Sequence, residues 1–115
     1  MTAPFAIARS EIADDVCMDG VNLLALAQQV ETPFYAYSAS AIRQRIEALQ
    51  AALQGLDAMA CYAVKANPNR AILQLTAGAG LGAEIVSGGE LRRCLLAGIP
   101  AGRIVFSGVG KSAEE

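Results

Sequence analysis

The chain contains no histidine among its 115 residues, and this absence excludes several kinds of chemistry. The segment cannot supply a histidine-based catalytic triad, a histidine metal ligand or a histidine general base. Its three cysteines, Cys17, Cys61 and Cys94, are far apart, odd in number and in no CxxC spacing. They indicate neither a disulfide framework nor a zinc site, so we expect reduced cysteines and no bound metal.

Charged residues and long apolar runs are also scarce. Charged residues make up 17% of the chain, the formal net charge is -2, and the basic residues form no cluster. The electrostatic footprint of a nucleic-acid binder is therefore missing, which favours small-molecule chemistry. No apolar run approaches the ~20 residues that a membrane span needs. The amino terminus lacks the basic start and apolar core of a signal peptide, so we expect a cytoplasmic location and no membrane partner.

Apolar residues, by contrast, make up 54% of the chain, although aromatic residues make up only 5%. A composition carried by Ala, Leu, Ile and Val suits strands that are covered on both faces, as in parallel α/β folds. By length the chain is one domain at most.

The second half of the sequence alternates between strand and helix patterns. Strands are predicted at 60–66, 83–86 and 103–109, and helices at 70–77 and 90–97. Ser87 and Glu90 fit a capping box at the start of the second helix, which ends before Gly98. Ser112 and Glu115 repeat the capping pattern and predict that another helix begins there. Two successive βαβ units imply parallel strands, in either a doubly wound sheet or a barrel.

The first half is less regular. The pattern predicts a strand at 16–21 interrupted at Asp19-Gly20, a helix at 22–30 capped by Asn22, and a strand at 34–37. A longer helix is predicted from Ser38 or Ser40 to just before Gly55. Its apolar residues form one stripe, consisting of Ile42, Ile46, Leu49 and Leu53.

Residues 60–67, Ala-Cys-Tyr-Ala-Val-Lys-Ala-Asn, are typical of a short apolar strand that ends by presenting Lys65. Asn67, Pro68 and Asn69 then break the strand. In a parallel barrel, catalytic side chains lie at the carboxyl ends of the strands. A lysine there can bond covalently to a carbonyl compound or to pyridoxal phosphate. The alternative is an ordinary surface lysine, because lysine is almost never fully buried.

Three further blocks accompany Tyr-Ala-Val-Lys-Ala-Asn at 62–67. They are Thr-Pro-Phe-Tyr-Ala-Tyr at 32–37, Gly-Ala-Glu-Ile-Val-Ser-Gly-Gly-Glu-Leu at 82–91 and Ile-Val-Phe-Ser-Gly-Val-Gly-Lys at 104–111. In these blocks and their order, the chain from Asp19 onward resembles the diaminopimelate decarboxylase family. The block at 62–67 is similar to the signature that carries the family's cofactor-bound lysine. The resemblance thus makes Lys65 the predicted catalytic and cofactor-binding residue.

The resemblance implies an α/β fold of the alanine racemase type, a (β/α)8 TIM barrel that binds pyridoxal 5'-phosphate, with a β-rich second domain. A complete barrel takes ~250 residues. We therefore expect an incomplete barrel with about its first three strands, preceded by a lead-in from the β-rich domain. The predicted division places the N-terminal lead-in at residues 1–37 and the truncated barrel at 38–115.

The function that the resemblance implies is decarboxylation of meso-2,6-diaminopimelate to L-lysine, in lysine biosynthesis. It also implies a small amino-acid substrate and a homodimer for the complete protein. The family's phosphate-binding loops lie later in the barrel, so we expect the N-terminal fragment alone to be inactive. Two alternatives stay open: a decarboxylase of ornithine, arginine or another basic amino acid with the same fold, and a non-catalytic pyridoxal phosphate-binding module or remnant.

Several other residues invite a functional interpretation. The glycines at 78–82 and at 88–89 could suggest a phosphate loop, but the first group lacks the G-x-G-x-x-G spacing and the capping box explains the second. Cys61 is expected to be a small buried residue. Arg92 and Arg93 are expected on a solvated helix face.

Two charged residues lie closer to the predicted site. Lys111 follows the third strand, but only Lys65 matches the lysine position of the resembled family. Glu84 occupies a strand position where that family more often has Asp, near the pyridoxal ring. Because of its extra methylene, we expect a surface or loop-capping role for Glu84 and leave it out of the predicted site.

Overall fold

The computed structural model describes residues 6–10 and 13–114, with side chains described from residue 16 onward. Two compact units make up the chain, residues 1–45 and residues 46–115. The division predicted from the sequence, 1–37 and 38–115, concerns the domains of a longer protein and stays a prediction. None of the described helices is long and apolar enough to cross a membrane.

The first unit contains a small antiparallel sheet. Its strands, in the order β1-β2-β3, are Ala6–Ser10, Ala13–Met18 and Val21–Asn22. Asp19 and Gly20 form the turn between β2 and β3, with positive φ angles of 51° and 79°. The predicted strand interrupted at Asp19-Gly20 is therefore confirmed as a β2-β3 hairpin.

Helix α1, Leu23–Ala27, begins where the sequence predicts. The Asn22 side chain accepts a hydrogen bond from the backbone N–H of Ala25 at 2.9 Å, which confirms the predicted cap. The helix ends earlier than the predicted Val30. The prediction is too long because the apolar spacing continues over residues that form a turn and not a helix.

The predicted strand at 34–37 is wrong. Within the described part of the chain these residues pair with no strand, and the side chains of Tyr35 and Tyr37 are exposed and stacked with their ring centroids 6.3 Å apart. A run of aromatic and apolar residues shows that a segment can fit a sheet, but a strand also needs a hydrogen-bonding neighbour.

Helix α2, Ala39–Ala52, confirms the longer predicted helix of this region. The Ser38 hydroxyl oxygen accepts a hydrogen bond from the backbone N–H of Ala41 at 3.0 Å, and Gly55 adopts a φ of 85° beyond the helix end. Of the predicted stripe, Ile46 is buried while Leu49 is 48% exposed. The stripe is therefore only partly covered.

The second unit contains a parallel sheet, as the strand and helix alternation predicts. Its strands, in the order β4-β5-β6, are Cys61–Ala63, Gly82–Ile85 and Ile104–Phe106. Helix α3, Arg70–Gly78, connects β4 to β5, and helix α4, Gly88–Ala97, connects β5 to β6. The predicted α/β class with parallel strands is confirmed.

Element boundaries differ from the predictions at two places. Strand β4 ends at Ala63 and is followed by a 3-10 turn, Val64–Ala66, where the prediction continues the strand. Strand β6 is shorter than the predicted 103–109. The second capping pattern involves Glu115, which lies outside the described residues, so the helix start predicted there stays a prediction.

The core of the second unit lies between the sheet and its helices. Its buried members come from β5, from both helices and from the segments beside them: Val64, Leu73, Ala83, Ile85, Cys94, Ala97 and Ile99. Each large apolar side chain buried here stabilises the fold by about 1.5–3 kcal/mol. Gly82 also belongs to this packing, since a Cβ at its position would lie 2.5 Å from the carbonyl oxygen of Arg103.

Candidate functional site

Lys65 lies on the 3-10 turn directly after β4, at the carboxyl end of the parallel sheet. Its predecessor Val64 is fully buried in the core, whereas the Lys65 side chain is 64% exposed. The N–H of Asn67 donates to the carbonyl of Val64 at 3.1 Å and closes the turn. The chain thus anchors one residue and projects the next one, the lysine, into solvent.

Further hydrogen bonds fix the segment that follows the lysine. The Tyr62 hydroxyl donates to the Asn67 carbonyl oxygen at 3.2 Å. The Asn67 side chain accepts from the N–H of Asn69 at 3.0 Å, and the Asn69 side chain accepts from the N–H of Ala71 at 2.9 Å. Asn69 thereby caps α3. The turn that carries Lys65 is consequently held by the strand before it and by the helix after it.

Glu84, in the middle of β5, is the charged neighbour of this lysine. Its Oε2 lies 4.0 Å from Lys65 Nζ, and its Oε1 accepts a hydrogen bond from the Ser107 hydroxyl. Ala83 and Ile85 point into the core, so Glu84, at the alternate position, lies on the opposite face of the sheet. Lys65, Glu84 and Ser107 therefore meet near the carboxyl ends of three adjacent strands.

Neither Glu84 nor Ser107 is among the residues predicted for the site. The structure adds to the expected surface or loop-capping role of Glu84 that its carboxylate contacts residues following two neighbouring strands. The available signal was topological: residues at the carboxyl ends of consecutive parallel strands meet at one edge of the sheet. Sequence spacing alone did not show that the longer side chain of Glu84 reaches both neighbours.

Lys111, the second lysine near this edge, makes different contacts. Its Nζ donates to the carbonyl oxygen of Phe106 at 3.1 Å and lies 5.1 Å from the centroid of the Phe106 ring. These contacts hold it at the end of β6, the strand that precedes it. This supports the choice of Lys65 over Lys111 as the candidate nucleophile.

The capping box at the start of α4 is confirmed in its serine half. The Ser87 hydroxyl oxygen accepts from the N–H of Glu90 at 3.2 Å, while the Glu90 carboxylate accepts from the N–H of Val86 at 2.8 Å. The glutamate reaches one residue further back than the motif predicts. Gly88 and Gly89 are simply the first residues of this capped helix.

The remaining candidates have structural roles. Arg92 and Arg93 are exposed, as predicted, and the Arg93 guanidinium contacts the carbonyl oxygen of Pro68 at 3.5 Å. Cys61 is half-buried rather than buried. Cys94 is fully buried, and this burial raises the pKa of its thiol, with a further contribution from the charge of Glu90. Among the described residues, no three His, Cys, Asp or Glu side chains lie close enough together to hold a metal ion.

Comparisons with known proteins show the family to which the chain belongs. The model of the family described as pyridoxal-dependent decarboxylase, pyridoxal binding domain, matches residues 39–115. A diaminopimelate decarboxylase from Zymomonas mobilis is 48% identical over 103 residues, which cover 87% of this chain and 24% of the relative.

Solved structures give the same result. A protein from Aquifex aeolicus superposes with a TM-score of 0.82 at 48% identity, over 88% of this chain and 25% of the other. A diaminopimelate decarboxylase from Helicobacter pylori, solved in complex with L-lysine, gives a TM-score of 0.78 at 49% identity, over 82% of this chain and 24% of the other. The chain spans about a quarter of the length of the curated relatives that it matches.

The fold and its site define a parallel α/β unit that presents a lysine at the carboxyl edge of its sheet. The chain belongs to the pyridoxal-dependent decarboxylase family, whose pyridoxal-binding domain matches well over half of its residues.

Proposed function

We propose that this chain is the amino-terminal part of an enzyme that removes the carboxylate from meso-2,6-diaminopimelate to give L-lysine, a carboxy-lyase of lysine biosynthesis. The observation that carries the chemistry is the exposed Lys65 amine at the carboxyl edge of the parallel sheet, beside the carboxylate of Glu84. The choice of substrate is supported by the names of the relatives, which are diaminopimelate decarboxylases at 48% to 49% identity.

The proposal includes a complete (β/α)8 barrel, of which β4, β5 and β6 would be the first three strands. Three parallel strands connected by α3 and α4 support it, as does the superposition on structures about four times as long. The antiparallel strands β1 to β3 would be the lead-in from a β-rich second domain.

The residues present fit pyridoxal 5'-phosphate as the cofactor. A primary amine is the group that bonds to the aldehyde of this cofactor, and that of Lys65 is accessible and separated by 4.0 Å from its nearest carboxylate oxygen. Lys65 would hold the cofactor covalently. When bound, the cofactor supplies an electron sink for the electron pair released as the substrate loses its carboxylate.

The other residues of the site would keep the lysine in place. The Tyr62 hydroxyl and the Asn67 N–H fix the backbone on either side of Lys65. Glu84 would hold the amine near the sheet edge and compensate its positive charge before the cofactor arrives. Fixed geometry of this kind raises the rate of a covalent step, since little orientational freedom remains to be lost.

The test is replacement of Lys65 by alanine in the full-length protein expressed from its natural gene. The Lys65→Ala variant should lose the absorbance of the lysine–cofactor bond and the release of carbon dioxide from meso-diaminopimelate. Lys111→Ala serves as the matched control, because it removes the same type of side chain near the same edge, and it should keep both. Retention of the lysine–cofactor absorbance and of turnover in Lys65→Ala would refute the proposal.

The substrate is tested in the same preparation. Turnover of meso-diaminopimelate should exceed that of ornithine, arginine and lysine at equal concentration, and the reverse order would favour the alternative decarboxylases. Assembly as a homodimer remains a prediction from the resemblance, and a cytoplasmic location remains a prediction from the amino terminus, which lacks the features of a signal peptide. Sedimentation of the full-length protein checks the first, and cell fractionation checks the second.

A further inference from the structure

Glu84 lies between the two strands whose ends carry its partners. In the register of the sheet, it is aligned with Ala63 of β4 on one side and with Val105 of β6 on the other. Lys65 follows Ala63 by two residues, and Ser107 follows Val105 by two residues. The two partners of the carboxylate therefore stand at equivalent positions on either side of it.

The two oxygens of the Glu84 carboxylate have separate partners. Oε2 lies 4.0 Å from the ammonium nitrogen of Lys65, and Oε1 accepts the hydroxyl proton of Ser107. An ionised carboxylate only accepts hydrogen bonds, so a serine on one oxygen leaves the other free to face a cation.

The backbone of Ser107 is itself fixed. Its N–H donates to the carbonyl of Ile85 at 3.0 Å, which extends the hydrogen bonding between β5 and β6 beyond the last residue of β6. At the next residue the chain comes so close to β5 that a Cβ on Gly108 would lie 2.8 Å from the carbonyl oxygen of Val86. The serine hydroxyl is therefore presented from a rigid part of the sheet edge.

Lys65 and Glu84 alone would make a weak pair. The lysine side chain is 64% exposed. An exposed ion pair at 4.0 Å has little net free energy of formation, because water solvates the separated charges well and pairing costs side-chain entropy. A hydrogen bond from a fixed hydroxyl to the carboxylate removes much of the rotational freedom of Glu84 before Lys65 is considered. The charge that faces the lysine then has a defined position.

We propose that Ser107 is a positioning residue: through Glu84 it sets where the Lys65 amine stands when the lysine bonds to pyridoxal phosphate. The inference depends on the proposed function, in which Lys65 is the cofactor lysine. Ser107 acts on the amine and not on the phosphate group, so its loss should slow bond formation without weakening the initial binding of the cofactor.

The experiment measures covalent loading rather than turnover. Cofactor-free full-length protein is mixed with increasing pyridoxal phosphate, and the lysine–cofactor absorbance is followed over time. In Ser107→Ala the maximal rate should fall at least about ten-fold, as expected for losing one hydrogen bond to a charged group. The cofactor concentration that gives half of the maximal rate should stay the same.

Two serine variants identify the hydroxyl as the cause. Ser107→Thr keeps a hydroxyl on the same carbon, and because position 107 is exposed, the added methyl group can be accommodated; its maximal rate should return to within about two-fold of wild type. Ser112→Ala makes the same Ser-to-Ala change at an exposed position of the same segment and should not alter the rate. Equal slowing in Ser107→Ala and Ser107→Thr would overturn the proposal.

A second substitution tests the route through Glu84. Glu84→Gln keeps the shape of the side chain but removes its charge, and adding Ser107→Ala to it should produce no further slowing, because both changes break the same connection. Fully additive effects would overturn the proposal.

Borohydride reduction followed by peptide mass spectrometry separates this inference from the proposed function. If wild-type protein carries no reduced cofactor on Lys65, the proposed function fails and the inference with it. If Lys65 is modified in wild type and Ser107→Ala loads at the wild-type rate, only the positioning role of Ser107 fails.

Discussion

The two compact units of this chain are stabilised by different interactions. In residues 46–115, large side chains such as Leu73, Ile85 and Ile99 are almost completely buried between a parallel sheet and its helices. Among the side chains described in residues 16–45, only Met18 and Ser38 are buried.

Polar contacts are prominent in the first unit instead. The carboxylate of Asp19 accepts hydrogen bonds from the hydroxyl groups of Ser38 and Ser40 and from the N–H of Ser40. These bonds hold the pKa of Asp19 at about 2, below its ordinary 3.8, with the Ser40 hydroxyl as the largest cause. The second unit thus buries a larger apolar core, whereas in the first unit an ionised carboxylate accepts three hydrogen bonds, so we expect the two units to respond to different perturbations.

The largest effect is expected from a cavity in the second unit. Ile85→Ala should lower the free energy of unfolding of this unit by about 2–5 kcal/mol, since Ile85 is 1% exposed and its neighbours cannot collapse fully around the gap. Hydrogen exchange of the amides of β4 to β6 in the full-length protein measures the loss. Leu96→Ala, at a side chain that is 74% exposed, should change the free energy of unfolding by less than about 0.5 kcal/mol. Equal losses would show that this core does not determine the stability of the unit.

A smaller effect is expected where the backbone turns toward the core. Gly98 ends α4 with a φ of 94°, and the next residue, Ile99, donates its N–H to the carbonyl of Cys94 at 3.0 Å and is 1% exposed. Gly98→Ala should cost about 1–2 kcal/mol, because a Cβ is strained in this left-handed conformation. Gly102→Ala is the control, since its backbone φ lies outside the left-handed region and a Cβ there would meet no atom within 4 Å. Hydrogen exchange of the α4 amides should separate the two variants, and identical exchange would contradict the strain argument.

The smallest effect, limited to acid, is expected in the first unit. Because the folded pKa of Asp19 is lower than its ordinary value, the stabilisation by its charge is complete above 3.8 and is lost as the pH falls toward about 2. Carbon-13 NMR of the Asp19 carboxyl in selectively labelled protein should show it ionised at pH 3.

One serine variant and one aspartate variant check the cause of this low pKa. Ser40→Ala should raise the pKa of Asp19 toward 3.8, whereas Asp57→Asn, a change at an exposed residue in the other unit, should leave it unchanged. An Asp19 pKa near 3.8 in the wild-type protein would contradict the claim that these hydrogen bonds stabilise the ionised carboxylate in the first unit.

Much of the second unit could be predicted from its sequence, because each signal there is local and agrees with the packing. Apolar spacing, the Ser87 cap and the glycine after α4 all mark elements that the structure contains. The errors occur where a pattern needs a partner outside the segment. Residues 34–37 have strand composition, but within the described part of the chain they have no paired neighbour.

The candidate site could be predicted only in part, for a related reason. Lys65 stands in a contiguous motif and is visible in the sequence. Its connection to Glu84 and Ser107 depends on the strand register and on the reach of a glutamate side chain across two strands. Those quantities belong to the assembled sheet, since residues 65, 84 and 107 are separated by about 20 positions along the chain.

The fully buried Val64 restricts how far the neighbouring Lys65 side chain can move. With its backbone anchored in the core, Lys65 can move only as far as its own four-carbon side chain permits. Any carbonyl compound held at this edge of the sheet would meet the amine at a high effective concentration, and the encounter would become a first-order event. The buried valine thereby helps to confine the Lys65 amine to a small volume, in which collisions with a bound aldehyde would be frequent.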